Sequence, residues 1–146
     1  MWVQGWLVVF SLFILLLYGY YFLQILLGRP ERFEALLSEG LLMETEEVQP
    51  KSRFLMVAFV IGVSLIIEGG YFILALVGIN IPYYQLLTGL FIGFEVWHGT
   101  QLIPVIKGLL EGADELAEKM NWKIERWAAQ FYVIHILITL ALLFII

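Results

Sequence analysis

Four long apolar runs constrain this chain more than any other feature. Each is about as long as the roughly 20 apolar residues that a helix needs to cross a membrane. The first and the last run contain no Asp, Glu, Lys or Arg. A hydrophobic fraction of 62% with only 14% charged residues excludes an ordinary soluble domain. The runs cover residues 2–27, 54–79, 84–106 and 127–146.

Only a tight turn separates the second run from the third. Gly78 suits the end of one helix and Pro82 suits the first turn of the next, so the two runs predict an antiparallel helix hairpin. We therefore predict an all-α polytopic membrane protein whose four transmembrane helices form one bundle. Residues 1–146 make a single membrane domain, with loops at 28–53 and 107–126.

The basic residues predict the orientation in the membrane. All eight lie in the two loops, and none lies in the N-terminal tail, the turn or the C-terminal end. By the positive-inside rule, the loops are cytoplasmic and both termini are outside, in the cytoplasmic (plasma) membrane. The basic residues are Arg29, Arg32, Lys51, Arg53, Lys107, Lys119, Lys123 and Arg126.

Each loop contains a short amphipathic pattern. Residues 30–43 begin with Pro30 and repeat apolar residues at helical spacing, and a longer stripe runs from Leu109 to Trp127 into the fourth span. These cytoplasmic helices either cover each other and the lipid headgroups or form a docking face for a partner. The predicted partners are the lipid bilayer, further copies of the chain or a larger membrane complex. Neither loop is polybasic, which argues against nucleic acid.

Four ionisable residues within the apolar runs form the candidate site: Glu68, Glu95, His98 and His135. Charged residues inside a membrane are costly, so each is a functional candidate. Measured from the predicted span ends, the four fall within a slab roughly 9 Å thick, which predicts one shared site. Other polar residues share their helix faces and are assigned a supporting role: Tyr18, Ser64, Tyr71, Thr88, Tyr132 and Thr139.

This Glu/His layer allows several interpretations. Two carboxylates and two imidazoles can bind one divalent transition metal, and Glu95-x-x-His98 is a known ligand spacing in helical bundles. The same groups can relay protons or ions. His98 and His135 can also be the axial ligands of one b-type haem, which is the weakest cofactor hypothesis. Alternatively, a Glu–His pair fixes the helix register without any ligand.

The predicted function is therefore a small integral membrane protein that binds a metal ion or relays protons. The alternatives are a non-catalytic accessory or assembly subunit of a larger membrane complex and, third, a haem-binding redox subunit. A non-enzymatic role is favoured, because no Ser or Thr has a recognisable spacing to a base. Small-residue pairs predict close helix packing, within the chain or in a dimer, at Ala58, Gly62, Gly89 and Gly93.

Overall fold

The computed structural model describes residues 2–27, 50–111 and 121–145. All regular structure in these ranges is helical, which confirms the predicted all-α class for the described part of the chain. Three segments are long and apolar enough to cross a membrane: all of α1, the Ile61–Gly78 part of α2, and all of α4. The helices are α1 Trp2–Leu26, α2 Pro50–Gly78, α3 Pro82–Glu111 and α4 Trp122–Ile145.

The third helix is the longest of the four, yet it is not among the segments apolar enough to cross a membrane by composition alone. It carries more polar residues than its neighbours. Length and composition therefore indicate three of the four predicted spans in the described ranges, and the fourth stays a prediction. The polar residues of α3 include Gln85, Thr88, Glu95, His98 and Gln101.

The helices extend farther into the loops than predicted. α2 begins at Pro50, α3 continues to Glu111, and α4 begins at Trp122. The predicted continuous helix from Leu109 into the fourth span is interrupted at Asn121, which is not helical and caps α4 by accepting a hydrogen bond from the Ile124 N–H at 3.4 Å. The amphipathic helix predicted at 30–43 lies outside the described residues, as does the central part of the predicted stripe, 112–120.

Consecutive helices pack against each other, and α1 packs against α4, so that the four helices form a ring. Neighbouring helices are antiparallel, because Gly78 near the end of α2 meets Leu7 near the start of α1. We call the two ends of the bundle the loop end and the turn end. The loop end holds Leu26, Pro50, Glu111 and Trp122, and the turn end holds Trp2, Gly78, Pro82 and Ile145.

Glycines allow α1 and α2 to approach closely near the turn end. A Cβ atom on Gly78 would lie 3.2 Å from Cδ2 of Leu7, and one on Gly70 would lie 3.2 Å from the Phe10 ring. The small-residue pairs predicted from the sequence behave differently. Ala58 is exposed, and no atom of the described residues lies within 4 Å of a Cβ on Gly62, Gly89 or Gly93. These pairs make no close helix contact within the described chain, and a role between copies stays a prediction.

The bundle is apolar outside and partly polar inside. Leu16, Ile66 and Leu90 are 83%, 75% and 67% exposed, whereas Thr88 and Thr139 are fully buried. A soluble protein avoids such a broad apolar exterior, and a lipid bilayer covers it at no cost. The distribution of polarity therefore agrees with the membrane class that the apolar helices indicate.

A buried hydrogen-bond network joins α2, α3 and α4 in the turn-end half of the bundle. The His135 ring lies at its centre, with Nδ1 2.8 Å from the Tyr71 hydroxyl and Nε2 2.9 Å from Thr88 Oγ1. Thr139 Oγ1 lies 2.9 Å from the Tyr71 hydroxyl and 2.7 Å from the Tyr84 hydroxyl. We call these five residues the His135 network. Its members are all nearly or fully buried, so every bond in it is made without water.

The donors of the network fix the tautomer of His135. Thr88 donates its hydroxyl hydrogen to the Tyr84 carbonyl at 2.8 Å, so its oxygen must accept from Nε2–H of His135. In the neutral ring, which burial favours, Nδ1 is unprotonated and accepts the single hydrogen of the Tyr71 hydroxyl. The Tyr71–Thr139 contact then has no hydrogen, because Thr139 donates its own to the His135 carbonyl at 2.8 Å. Every polar atom of the ring is satisfied with His135 neutral, which is the inexpensive state for an imidazole inside a bundle.

We expect Tyr71→Phe to destabilise the bundle. The substitution keeps the ring and removes the hydroxyl, which leaves Nδ1 of His135 buried without its donor. An unsatisfied buried polar group costs about 1–3 kcal/mol, and the free energy of unfolding in detergent should fall by that amount. Tyr83→Phe is the matched control, because Tyr83 is 86% exposed. Equal effects of the two substitutions would contradict a structural role for the network.

Candidate functional site

A cavity of about 660 Å³ occupies the loop-end half of the bundle, and all four helices line it. Its walls are mostly apolar, with aromatic rings from α1, α2 and α4. Four ionisable side chains from three helices also line it: Glu68, Glu95, His98 and Glu125. Charged groups gathered in one apolar cavity are the feature that most clearly sets this region apart from the rest of the bundle.

A carboxylate–imidazole–carboxylate triad lies on the wall formed by α3 and α4. His98 Nδ1 is 3.3 Å from Oε2 of Glu95, and His98 Nε2 is 3.0 Å from Oε1 of Glu125. Glu95 and His98 are three residues apart and therefore share a face of α3. Glu125 lies in the first turn of α4, where the helix dipole favours a negative charge. The side chains are only 11–18% exposed.

The triad can hold protons in more than one arrangement. A neutral imidazole has a single N–H and can donate to only one carboxylate. When both carboxylates are ionised, two donated hydrogen bonds require His98 to be an imidazolium. When His98 is neutral, one carboxyl group must carry the proton for both contacts to be hydrogen bonds. Both contacts are therefore hydrogen bonds only when the three groups together hold one proton more than a neutral imidazole and two carboxylates do.

Glu68 faces the same cavity from α2, beside a second polar contact. The Tyr18 hydroxyl of α1 donates to Ser64 Oγ of α2 at 3.1 Å, and both residues line the cavity. Tyr132 of α4 also lines it. Its hydroxyl oxygen is buried and has no hydrogen-bond partner among the described residues. The structure therefore brings together three of the four predicted site residues and three of the predicted supporting ones.

The structure does not bring His135 to this cluster. His135 belongs to the buried network in the turn-end half of the bundle, together with Tyr71, Thr88 and Thr139. The reason is the register of α3 against α4. His98 faces Glu125, and Thr88, ten residues earlier, faces His135, ten residues later. His135 therefore lies about 15 Å farther along α4 than Glu125 does.

Glu125 is the site residue that the sequence analysis missed. It was counted among the charges of the loop, because the fourth span was predicted to begin at Trp127. A signal was nevertheless present in the sequence. Glu125, Ala128, Tyr132, His135 and Thr139 are spaced three or four residues apart, so the polar stripe predicted for the fourth helix extends back to Glu125.

The histidine nitrogens bear on the predicted cofactors. Both ring nitrogens of His98 contact carboxylates, and both nitrogens of His135 contact hydroxyl groups. In this arrangement neither imidazole presents a free nitrogen to a haem iron. For metal ions, the described ranges contain no group of three or more His, Cys, Asp or Glu residues that could hold one. The donor set does not fit the predicted four-ligand metal site, because His135 is not part of it.

Comparisons with protein-family models, curated proteins and solved structures gave no match for this chain.

The hydrogen bonds predict different protonation of the two histidines, which are the only ones in the chain. In nitrogen NMR spectra of protein with isotope-labelled histidine near neutral pH, we expect His135 as a neutral ring protonated on Nε2. We expect His98 to show proton sharing with its carboxylates and to respond to Glu125→Gln. His135→Asn and His98→Asn assign the two signals. Two identical neutral rings insensitive to Glu125→Gln would contradict the triad.

Proposed function

We propose that this chain is a small integral membrane protein that binds a cation in its loop-end cavity and exchanges it for protons held by the triad. The observation that carries the proposal is the position of His98 between Glu95 and Glu125. Such a group stores negative charge and protons inside an otherwise apolar bundle, where unpaired charge is expensive. A cation that enters can replace a proton at little net electrostatic cost.

The arrangement of the helices supports four membrane crossings. α2 and α4 both begin at the loop end, and both contain segments apolar enough to span a membrane. α3 starts at the turn end and packs antiparallel between them. A chain that crosses in α2 can begin α4 on the starting side only if α3 crosses back. The polar groups of α3 at the cavity and in the His135 network face the interior, where their partners lie.

The turn-end side of the cavity is closed by aromatic rings, which favours a binding site over an open pore. Phe72 and Phe91 each pack against Tyr132, with centroids 5.7 and 5.9 Å away. Phe91 also stacks on His135 at 5.2 Å. No hydrogen bond among the described residues joins the triad to the His135 network across these rings. The proposed exchange of protons and cations is therefore between the cavity and the loop end.

The proposed orientation is testable by cysteine labelling, because the chain contains no cysteine of its own. Asn80 and Lys123 are exposed residues at opposite ends of the bundle. In intact cells, an impermeant thiol reagent should label Asn80→Cys and should label Lys123→Cys only after permeabilisation. Labelling of both positions in intact cells, or of neither after permeabilisation, would contradict a membrane crossing between them. The reverse pattern would invert the orientation.

The proton site is testable by infrared difference spectroscopy of the protein in lipid, perfused alternately with acidic and alkaline buffer. We expect a carboxyl C=O band typical of a water-poor environment to appear at acidic pH. Glu95→Gln and Glu125→Gln should each remove part of that band, and His98→Gln should alter it. Gln101→Leu, an exposed position on the same helix, is the control. A difference spectrum that none of the cavity substitutions changes would exclude proton exchange at the triad.

A further inference from the structure

We propose that the cation is an amphiphilic organic ammonium ion with an aromatic or aliphatic body, bound in the loop-end cavity through its N–H groups. This inference rests on the proposed function and names the class of its ligand. Three independent features of the cavity support it: its size and apolar walls, its excess of negative charge, and a buried hydroxyl group that has no partner.

The size and walls of the cavity fit an organic molecule. Its volume of about 660 Å³ is far larger than a metal ion requires and lies within the range of roughly 300–1,000 Å³ typical of small-molecule sites. Phe22, Phe72 and Tyr132 present aromatic rings from three helices. Aromatic faces attract organic cations through the ring quadrupole, in addition to the gain from burying apolar surface.

The charge of the cavity selects a cation. Glu68, Glu95 and Glu125 line it, and the only basic group among its lining residues is the His98 imidazole. Even with His98 protonated, the ionised carboxylates exceed the positive charge. An anion would be repelled, and a neutral molecule would leave the excess charge unbalanced in an apolar environment. An ammonium ion balances it and donates N–H bonds to carboxylate oxygens, which are strong hydrogen bonds.

The Tyr132 hydroxyl points to a polar ligand. Tyr132 is only 5% exposed and lines the cavity, yet its hydroxyl oxygen has no partner among the described residues. The other two tyrosine hydroxyls packed nearby are both bonded, Tyr18 to Ser64 and Tyr71 to His135. Buried hydroxyls are rarely left without a partner. This oxygen has almost no accessible surface, so an ammonium N–H in the cavity can reach it only after the surrounding side chains shift.

A small inorganic cation fits less well. Metal ions need several ligand atoms at short, fixed distances, and hard cations lose a tightly held hydration shell on binding. In the described part of the chain no three His, Cys, Asp or Glu side chains converge in that way. An organic ammonium ion is less strongly hydrated, and apolar contacts compensate for much of its transfer from water.

The test is calorimetric titration of the full chain in detergent with phenylbutylammonium, against the neutral phenylbutanol and the anionic phenylbutyrate, which share its hydrophobic part. We expect saturable binding of the ammonium ion only. Repetition in buffers of different ionisation enthalpy should show proton release on binding. Glu68→Gln and Glu125→Gln should each raise Kd roughly tenfold or more, the effect of removing a charged hydrogen-bond partner.

A second pair of variants keeps the test decisive if a carboxylate substitution prevents folding. Phe22→Leu changes an aromatic wall of the cavity and should weaken ammonium binding, whereas Phe13→Leu changes an exposed position on the same helix and should not. Equal binding of the three compounds would overturn the inference. So would a Kd for phenylbutylammonium that is unchanged in every cavity variant. An intact infrared carboxyl titration without ammonium binding would overturn it and leave the proton site standing. If the infrared carboxyl band does not change between acidic and alkaline buffer, both proposals fail.

Discussion

The register between α3 and α4 is the constraint on which the polar interior of this bundle depends. It is fixed at two levels, by the His98–Glu125 contact and by the Thr88–His135 bond. Both join groups that would be costly to bury alone, so a shift of one helical turn would leave an imidazole and a carboxylate without partners at the same time. Apolar side chains would tolerate such a shift far better, because dispersion contacts are not directional.

This register divides the interior into two parts with different electrostatics. In the His135 network both ring nitrogens are satisfied with the ring neutral, and the network ties three helices together in the turn-end half of the bundle. The triad carries charge and lies beside a cavity. Between them, the rings of Phe72, Phe91 and Tyr132 pack closely against one another. One histidine is therefore enclosed by hydroxyl groups and the other lies between carboxylates at a cavity, although both lie within apolar runs of the sequence.

The agreement between sequence and structure varies with the physical origin of each feature. Pro82 and Gly78 were predicted to bound a helix hairpin, and α2 ends at Gly78 while α3 begins at Pro82. Local backbone preferences decide such boundaries, so a few residues suffice to predict them. The grouping of Glu95 with His98 was likewise readable from their spacing on one helix. His135 was grouped with them because the predicted span ends were taken as aligned, and Glu125 was missed for the same reason.

The sequence by itself determined the helical class, the apolar helices, the hairpin and the polar face of each helix, because chain spacing and hydrophobicity are local properties. Only the tertiary structure decided which polar faces meet. That choice depends on how far α3 and α4 continue into the loops and on where Asn121 starts the last helix. A displacement of ten residues along α4, about 15 Å, separates a histidine that binds a carboxylate from one enclosed by hydroxyl groups. The sequence pattern of a single helix cannot predict that distance, since it arises from the packing of two helices against each other.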